Sequence, residues 1–412
     1  MTTTRLLLLC AIVAGPVPAA AQVRVEGMAR AIPTLTDASP RPGGGSLTEL
    51  RVLQPVGMGT LAVGEPWRLR GTLELEGLTM PNGELAPGAW GEGFVDRRHP
   101  HTYVHELLAW HRDLFGTRGR GWAASLTAGK GFAPFGTDDP MVRPFVRYPV
   151  NHHWAQILER AMLATGVRVG PVALEASLFN GDEPEEPSQW PNWERFGDSW
   201  SVRGFLWPVQ GLELQGSYAD VASPEHRPGA GLDQYKLSAS ARWERAIGAV
   251  RTYALAEWAR TEEGGGAFEY RSVLAEGAAG VGRHRVSYRF ERTERPEEER
   301  LFEDPFRSLR PHLDDHIVGQ TRWTLHTVNY TVRFDLAGGR LAALPFVEMT
   351  LGGVAKVGEA LFDPASFYGS TDVRTLSVGV RLDLGGTMHR MGRYGVIDAA
   401  DAPGGSAGRD HH

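Results

Sequence analysis

The chain has 412 residues, 43 Lys and Arg against 49 Asp and Glu, a formal charge of −6, and one cysteine, Cys10. That balance lacks the basic excess nucleic-acid binding calls for, and one cysteine excludes a disulfide framework or a multi-thiolate metal site. Beyond residue 21 no run of ~18 apolar residues occurs, so a spanning helix is excluded as well.

Residues 1–21 carry one cation, Arg5, then an apolar stretch from Leu6 to Ala14 and Ala19-Ala20-Ala21 before Gln22. This is the pattern of a cleaved secretory signal. Its removal takes away Arg5 and Cys10, leaving a charge of −7 (−6 less one cation) and no thiol. A chain exported in this way and lacking an apolar helix meets a membrane only as a closed barrel.

Residues 22–45 are rich in Pro, Gly and Ala and read as a flexible lead-in, with a first weak strand over 46–56. Trp67, Leu69, Leu73 and Leu75 then alternate with Arg68, Arg70, Thr72, Glu74 and Glu76, the period of a strand with one apolar and one polar face. Further strands are expected over 89–95 and 122–130, and 102–111 reads as either a strand or a short helix. Residues 131–158 form a long basic and aromatic excursion, followed by a hairpin of 163–169 and 172–179 hinged on Gly170-Pro171. After an acidic loop, strands are expected over 200–207, 212–220, 235–244, 250–260, 268–278, 284–292, 317–336, 341–354 and 373–384. The tail over 387–412 is Gly, Ala, Asp and His and reads as flexible.

Connections alternate between tight turns, as at Gly170-Pro171 and residues 246–248, and long charged loops such as 295–315. Roughly sixteen strands with one apolar and one polar face are what a transmembrane barrel shows, apolar to lipid and polar to the lumen. The expected fold is therefore all-β, an antiparallel transmembrane barrel over 46–386 with short periplasmic turns and long outer loops. Trp67, Trp110, Trp122, Trp200, Trp207, Tyr218, Trp243 and Trp258 near strand ends suit interfacial girdles. A barrel of this size leaves an aqueous channel.

The run Thr127-Ala128-Gly129-Lys130-Gly131-Phe132-Ala133-Pro134-Phe135-Gly136, with Glu159-Arg160 further on, resembles the phosphate-selective porin-like (O and P type) outer-membrane proteins. The resemblance implies a porin-like barrel in the bacterial outer membrane. Family analogy makes a homotrimer the expected assembly.

The function read from these features is passive diffusion of small polar solutes, with anions preferred. Arginines on an inward-folded 131–158 excursion would offset an anion's lost hydration, and the pore-lining or constriction residues expected are Lys130, Arg143, Arg147, Arg160 and Arg168. Outer-membrane lipid and the solute are the expected partners, with no nucleic acid and no cofactor. The alternative is a plugged barrel serving as a surface anchor or a metal-binding protein, with His99, His101 and His105 as ligands. At ~3.3 Å per residue these three spread over ~20 Å of strand, so one ion would need a loop fold or further ligands. An enzyme is not expected. Asn151-His152-His153 has no serine in a supporting constellation, and Gly264-Gly265-Gly266 lies between strands where a phosphate loop would open a helix.

Overall fold

A computed structural model describes residues 22–398 apart from 42, 65, 80–101, 118–120, 138, 185, 300–316, 360 and 387. The strands are β1 (Val23–Ser39), β2 (Leu47–Val63), β3 (Trp67–Glu74), β4 (Val104–Thr117), β5 (Trp122–Gly131), β6 (Arg160–Val169), β7 (Val172–Phe179), β8 (Ser199–Leu206) and β9 (Leu212–Val221). They continue as β10 (Gln234–Ile247), β11 (Val250–Glu263), β12 (Phe268–Val281), β13 (His284–Glu298), β14 (Ile317–Val332), β15 (Phe334–Leu336), β16 (Leu341–Val357) and β17 (Asp372–Gly385). Apart from β14 and β15, each pairs antiparallel with its neighbours in sequence, and β1 pairs with both β2 and β17, which closes the sheet. Because β14 and β15 both pair with β16 and are broken only at Arg333, they form one wall position, and the barrel has 16 strands. Closure leaves no sheet edge with unpaired backbone groups.

Side-chain alternation sorts the two faces. On β14, Thr321, Trp323, Leu325, Thr327, Asn329 and Thr331 are buried toward the lumen. Val328 and Tyr330 between them are 42% exposed, as are Leu174 at 60% and Leu376 at 48% elsewhere on the wall, which makes the outer surface apolar. A polar interior and an apolar exterior are the reverse of a soluble sandwich and suit a wall facing lipid. Tight turns such as Gly170-Pro171 lie at the rim where β1 begins and β17 ends. Gly170 there has φ 54°, and Pro171 holds its own φ negative, the pattern of the two-residue turns that suit hairpin twist.

Three expectations are corrected. Residues 22–45 are not a loose lead-in: 23–39 are β1, the strand that closes the barrel. The tail is not loose over its described part, because Met388, Met391, Tyr394, Val396 and Ile397 are buried. Trp110 and Trp207 do not join a girdle, being 0% and 8% exposed. The expected signal segment 1–21, the strand over 89–95 and the remainder of the tail lie outside the described residues.

Candidate functional site

Residues 132–159, between β5 and β6, fold into the lumen, and nearly all their described side chains are buried. Backbone without sheet or long helix must find other partners when buried, and here the wall supplies them. Glu348 on β16 accepts from the Val146 and Arg147 amides, at 2.9 Å each, while Glu291 on β13 accepts from the Val150 amide at 2.7 Å. Glu257 on β11 accepts from the Thr137 hydroxyl and, at 2.6 Å, from the Asn151 amide group. Wall arginines take the carbonyls: Arg289 donates to Arg147 O at 2.7 Å, Arg381 to Phe145 O at 2.8 Å and Arg30 to Met141 O at 2.5 Å. Charged partners make these hydrogen bonds stronger than neutral ones.

Sequence places these anchors in register. Glu257 faces Leu274, which faces Glu291, and one row away Glu276 faces Arg289. The loop also crosses itself closely. Ala133 N donates to Ile157 O at 3.0 Å, and a Cβ on Gly136 would lie 1.6 Å from Ala155 O. Gly136 has φ 66°, so a side chain is excluded there on both counts. Within the loop, burial pushes the Asp139 carboxyl up, but His152 and His105 outweigh it and hold it below its ordinary value.

Residues 388–398 enter the lumen from the short-turn rim. Arg390 and Arg393 both donate to Glu213 on β9, at 2.8 and 2.9 Å. The Tyr394 hydroxyl donates to Glu106 on β4 at 2.7 Å and accepts from the Phe132 amide at 3.0 Å. An apolar cluster joins Met388 and Met391 to Phe132, Met141 and Tyr148 of the loop and to Met28, Val56 and Met58 of the wall.

The five residues expected at a constriction are all buried. Arg143 lies 3.3 Å from Glu257 and 3.5 Å from Glu276, and Arg147 donates to Glu291 at 2.5 and 2.6 Å, so both hold the loop to the wall. Arg160 donates to Glu183 at 2.7 Å. Lys130 donates to the Thr102 hydroxyl and stands 5.6 Å over the Trp190 ring, whereas Arg168 is remote from these, 4.5 Å over Trp207. His99 and His101 lie outside the described residues, and His105 sits against the Glu159 carboxylate. Among the described residues no group of three or more His, Cys, Asp or Glu is placed to hold a metal ion. Sequence reasoning missed the wall glutamates and the tail. Their signal was parity: Glu257, Glu276 and Glu348 fall in step with the buried, lumen-facing residues of their strands.

Compared with solved structures, the chain is similar to the anion-selective porin from Comamonas acidovorans, at a TM-score of 0.51 and 10% identity over 88% of this chain and 100% of that one. The fold is that of an outer-membrane porin. This porin barrel also matches the outer-membrane channel DcaP of Acinetobacter baumannii at a TM-score of 0.49 and 10% identity, over 90% of this chain and 99% of that one. For the outer-membrane protein OpdK from Pseudomonas aeruginosa the TM-score is 0.42 and the identity 10%, over 88% of this chain and 99% of that one. No family profile matches the chain, and no curated protein matches its sequence. The porin-like part of the resemblance thus stands on the fold, and the apolar outer wall belongs in an outer membrane.

Proposed function

We propose that the protein is a passive channel for small polar solutes that prefers anions, and that residues 132–159 set its bore. The observation that carries this reading is the loop itself, drawn across a polar lumen and held on wall glutamates. Arg143 and Arg147 give their charge to those glutamates and act as anchors. The field on a passing ion then falls chiefly to Arg285 and Arg381, which repel each other; Arg30 beside them is paired with Asp383 at 2.5 Å, and Glu348 is the other acid acting on Arg381. Arginine at a narrow passage lowers the energy of a partly dehydrated anion. An anion-selective porin among similar folds supports the same preference.

The test is single-channel recording in planar bilayers with the reversal potential read in a potassium chloride gradient and again with phosphate. Conductance steps with a reversal potential toward the anion are expected. Replacing Arg285 and Arg381 by Glu should move it toward the cation, and no movement retires the anion assignment. A second reading, a plugged barrel serving as a surface anchor, is favoured by the apolar cluster that joins loop, tail and wall. Silence in the bilayer under all conditions would support it. Homotrimeric assembly is proposed with the channel, and chemical cross-linking in detergent checks it.

A further inference from the structure

Beyond the loop, the lumen holds a second object that the channel reading does not use. Residues 388–398 rise from the end of β17 and reach the root of the loop at Phe132. They then turn back, so that the Val396 amide meets the Ser125 hydroxyl at 3.0 Å and the Asp398 carboxylate lies 3.9 Å from Arg70. Both ends of the segment thus face the short-turn rim.

Three features separate this segment from the wall. None of its residues takes part in a strand ladder, and the barrel is already closed by β1 and β17 without it. Its polar attachments are non-covalent side-chain contacts and no ladder: Arg390 and Arg393 on Glu213, Tyr394 on Glu106 and on the Phe132 amide, Gly392 O accepting from Arg203 at 2.6 Å, the Val396 amide on Ser125 and Asp398 near Arg70. Its apolar side chains all pack on lumen-side clusters and not on lipid: Met388 and Met391 with Phe132 and Met141, Tyr394 with Leu108 and Trp110, and Val396 and Ile397 with Phe205 and Trp207. Two adjacent cations converging on one buried carboxylate form a docking site for this sequence, and methionine thioethers adapt to a surface they can leave.

We infer that 388–398 is a removable plug: a segment of the chain bound in the lumen from the short-turn side, whose release opens the passage beside the 132–159 loop. The inference rests on the channel reading. Leaving requires breaking the Glu213 and Glu106 contacts while the wall ladders stay intact, so the closed and open states share one barrel.

The test uses the full chain in planar bilayers. Replacing Arg390→Glu and Arg393→Glu together sets two anions against Glu213 and should raise the time-averaged conductance on the order of tenfold, because removing one side of a buried charge pair speeds release. A chain ending at Gly386 should behave as that double variant does. A synthetic peptide of 388–398 added to the short-turn side of either form should return conductance to the wild-type level, and the same peptide on the opposite side should act weakly. Folding is checked by the heat-dependent electrophoretic mobility of the barrel. Folded variants that conduct as the wild type does, or a peptide without effect, overturn the plug and leave the channel standing. Absence of conductance steps from the wild type and from both variants overturns the channel reading and the plug with it.

Discussion

Arg147 and Glu291 show how single residues fix the bore. Both are almost fully buried, and the carboxylate accepts two guanidinium hydrogen bonds and the Val150 amide. Removing one partner leaves the other charged, buried and unpaired, so Glu291→Ala should cost about 3–5 kcal/mol of stability in thermal or urea unfolding. Replacing both residues by leucine should cost less than either single change, which a double-mutant cycle will read. Gly136 is a second such point. Gly136→Ala puts a methyl group into Ala155 O at a left-handed φ, and a loss of about 1–3 kcal/mol with a wider, noisier conductance is expected.

At the scale of elements, docking of the tail is linked to one imidazole, His389. Burial and then Arg70 push the His389 imidazole below its ordinary value, against Asp398, Glu26 and Glu106, which pull it up. A depressed imidazole favours the docked segment while the ring is neutral. As pH falls below about 6.5 the released segment takes the proton first, so docking weakens with acid. Channel opening on acidifying the short-turn side should therefore rise, and His389→Gln should flatten that response. Strand β1 carries the other lesson at this scale. Gly27, Ala29, Ala31 and Pro33 stand on its outward face where larger apolar residues mark other strands, so its alternation is faint in sequence. Pro33 is tolerated just after the register shift between Arg30 and Ile32, a position where a ladder already breaks.

For the whole molecule, the two faces of the wall obey opposite rules. Val328→Arg, on the lipid side of β14, should cost about 2–4 kcal/mol in folding into lipid vesicles if it lies near mid-bilayer. Its neighbour Thr327 faces the lumen, and Thr327→Ser there should leave that folding energy nearly unchanged. Equal costs at the two sites, measured by urea titration, would contradict the assignment of the faces.

Period-two alternation and the alternation of tight turns with long loops were written in the sequence, and together they determined a closed antiparallel barrel with an apolar outer wall. Both are local properties, since each strand must present one face to lipid and each hairpin must turn within a few residues. The direction taken by 132–159 was not local. Its arginines read as free lumen charges until Glu257, Glu276 and Glu291, more than a hundred residues away, were seen to meet them. The tail was harder still, because Met388, Arg390, Met391, Arg393 and Tyr394 have no period of their own and become a packed segment only against Glu213, Glu106 and Phe132. What fills the lumen was decided by tertiary structure alone, because buried charges and irregular backbone are stable only where distant strands bring their partners.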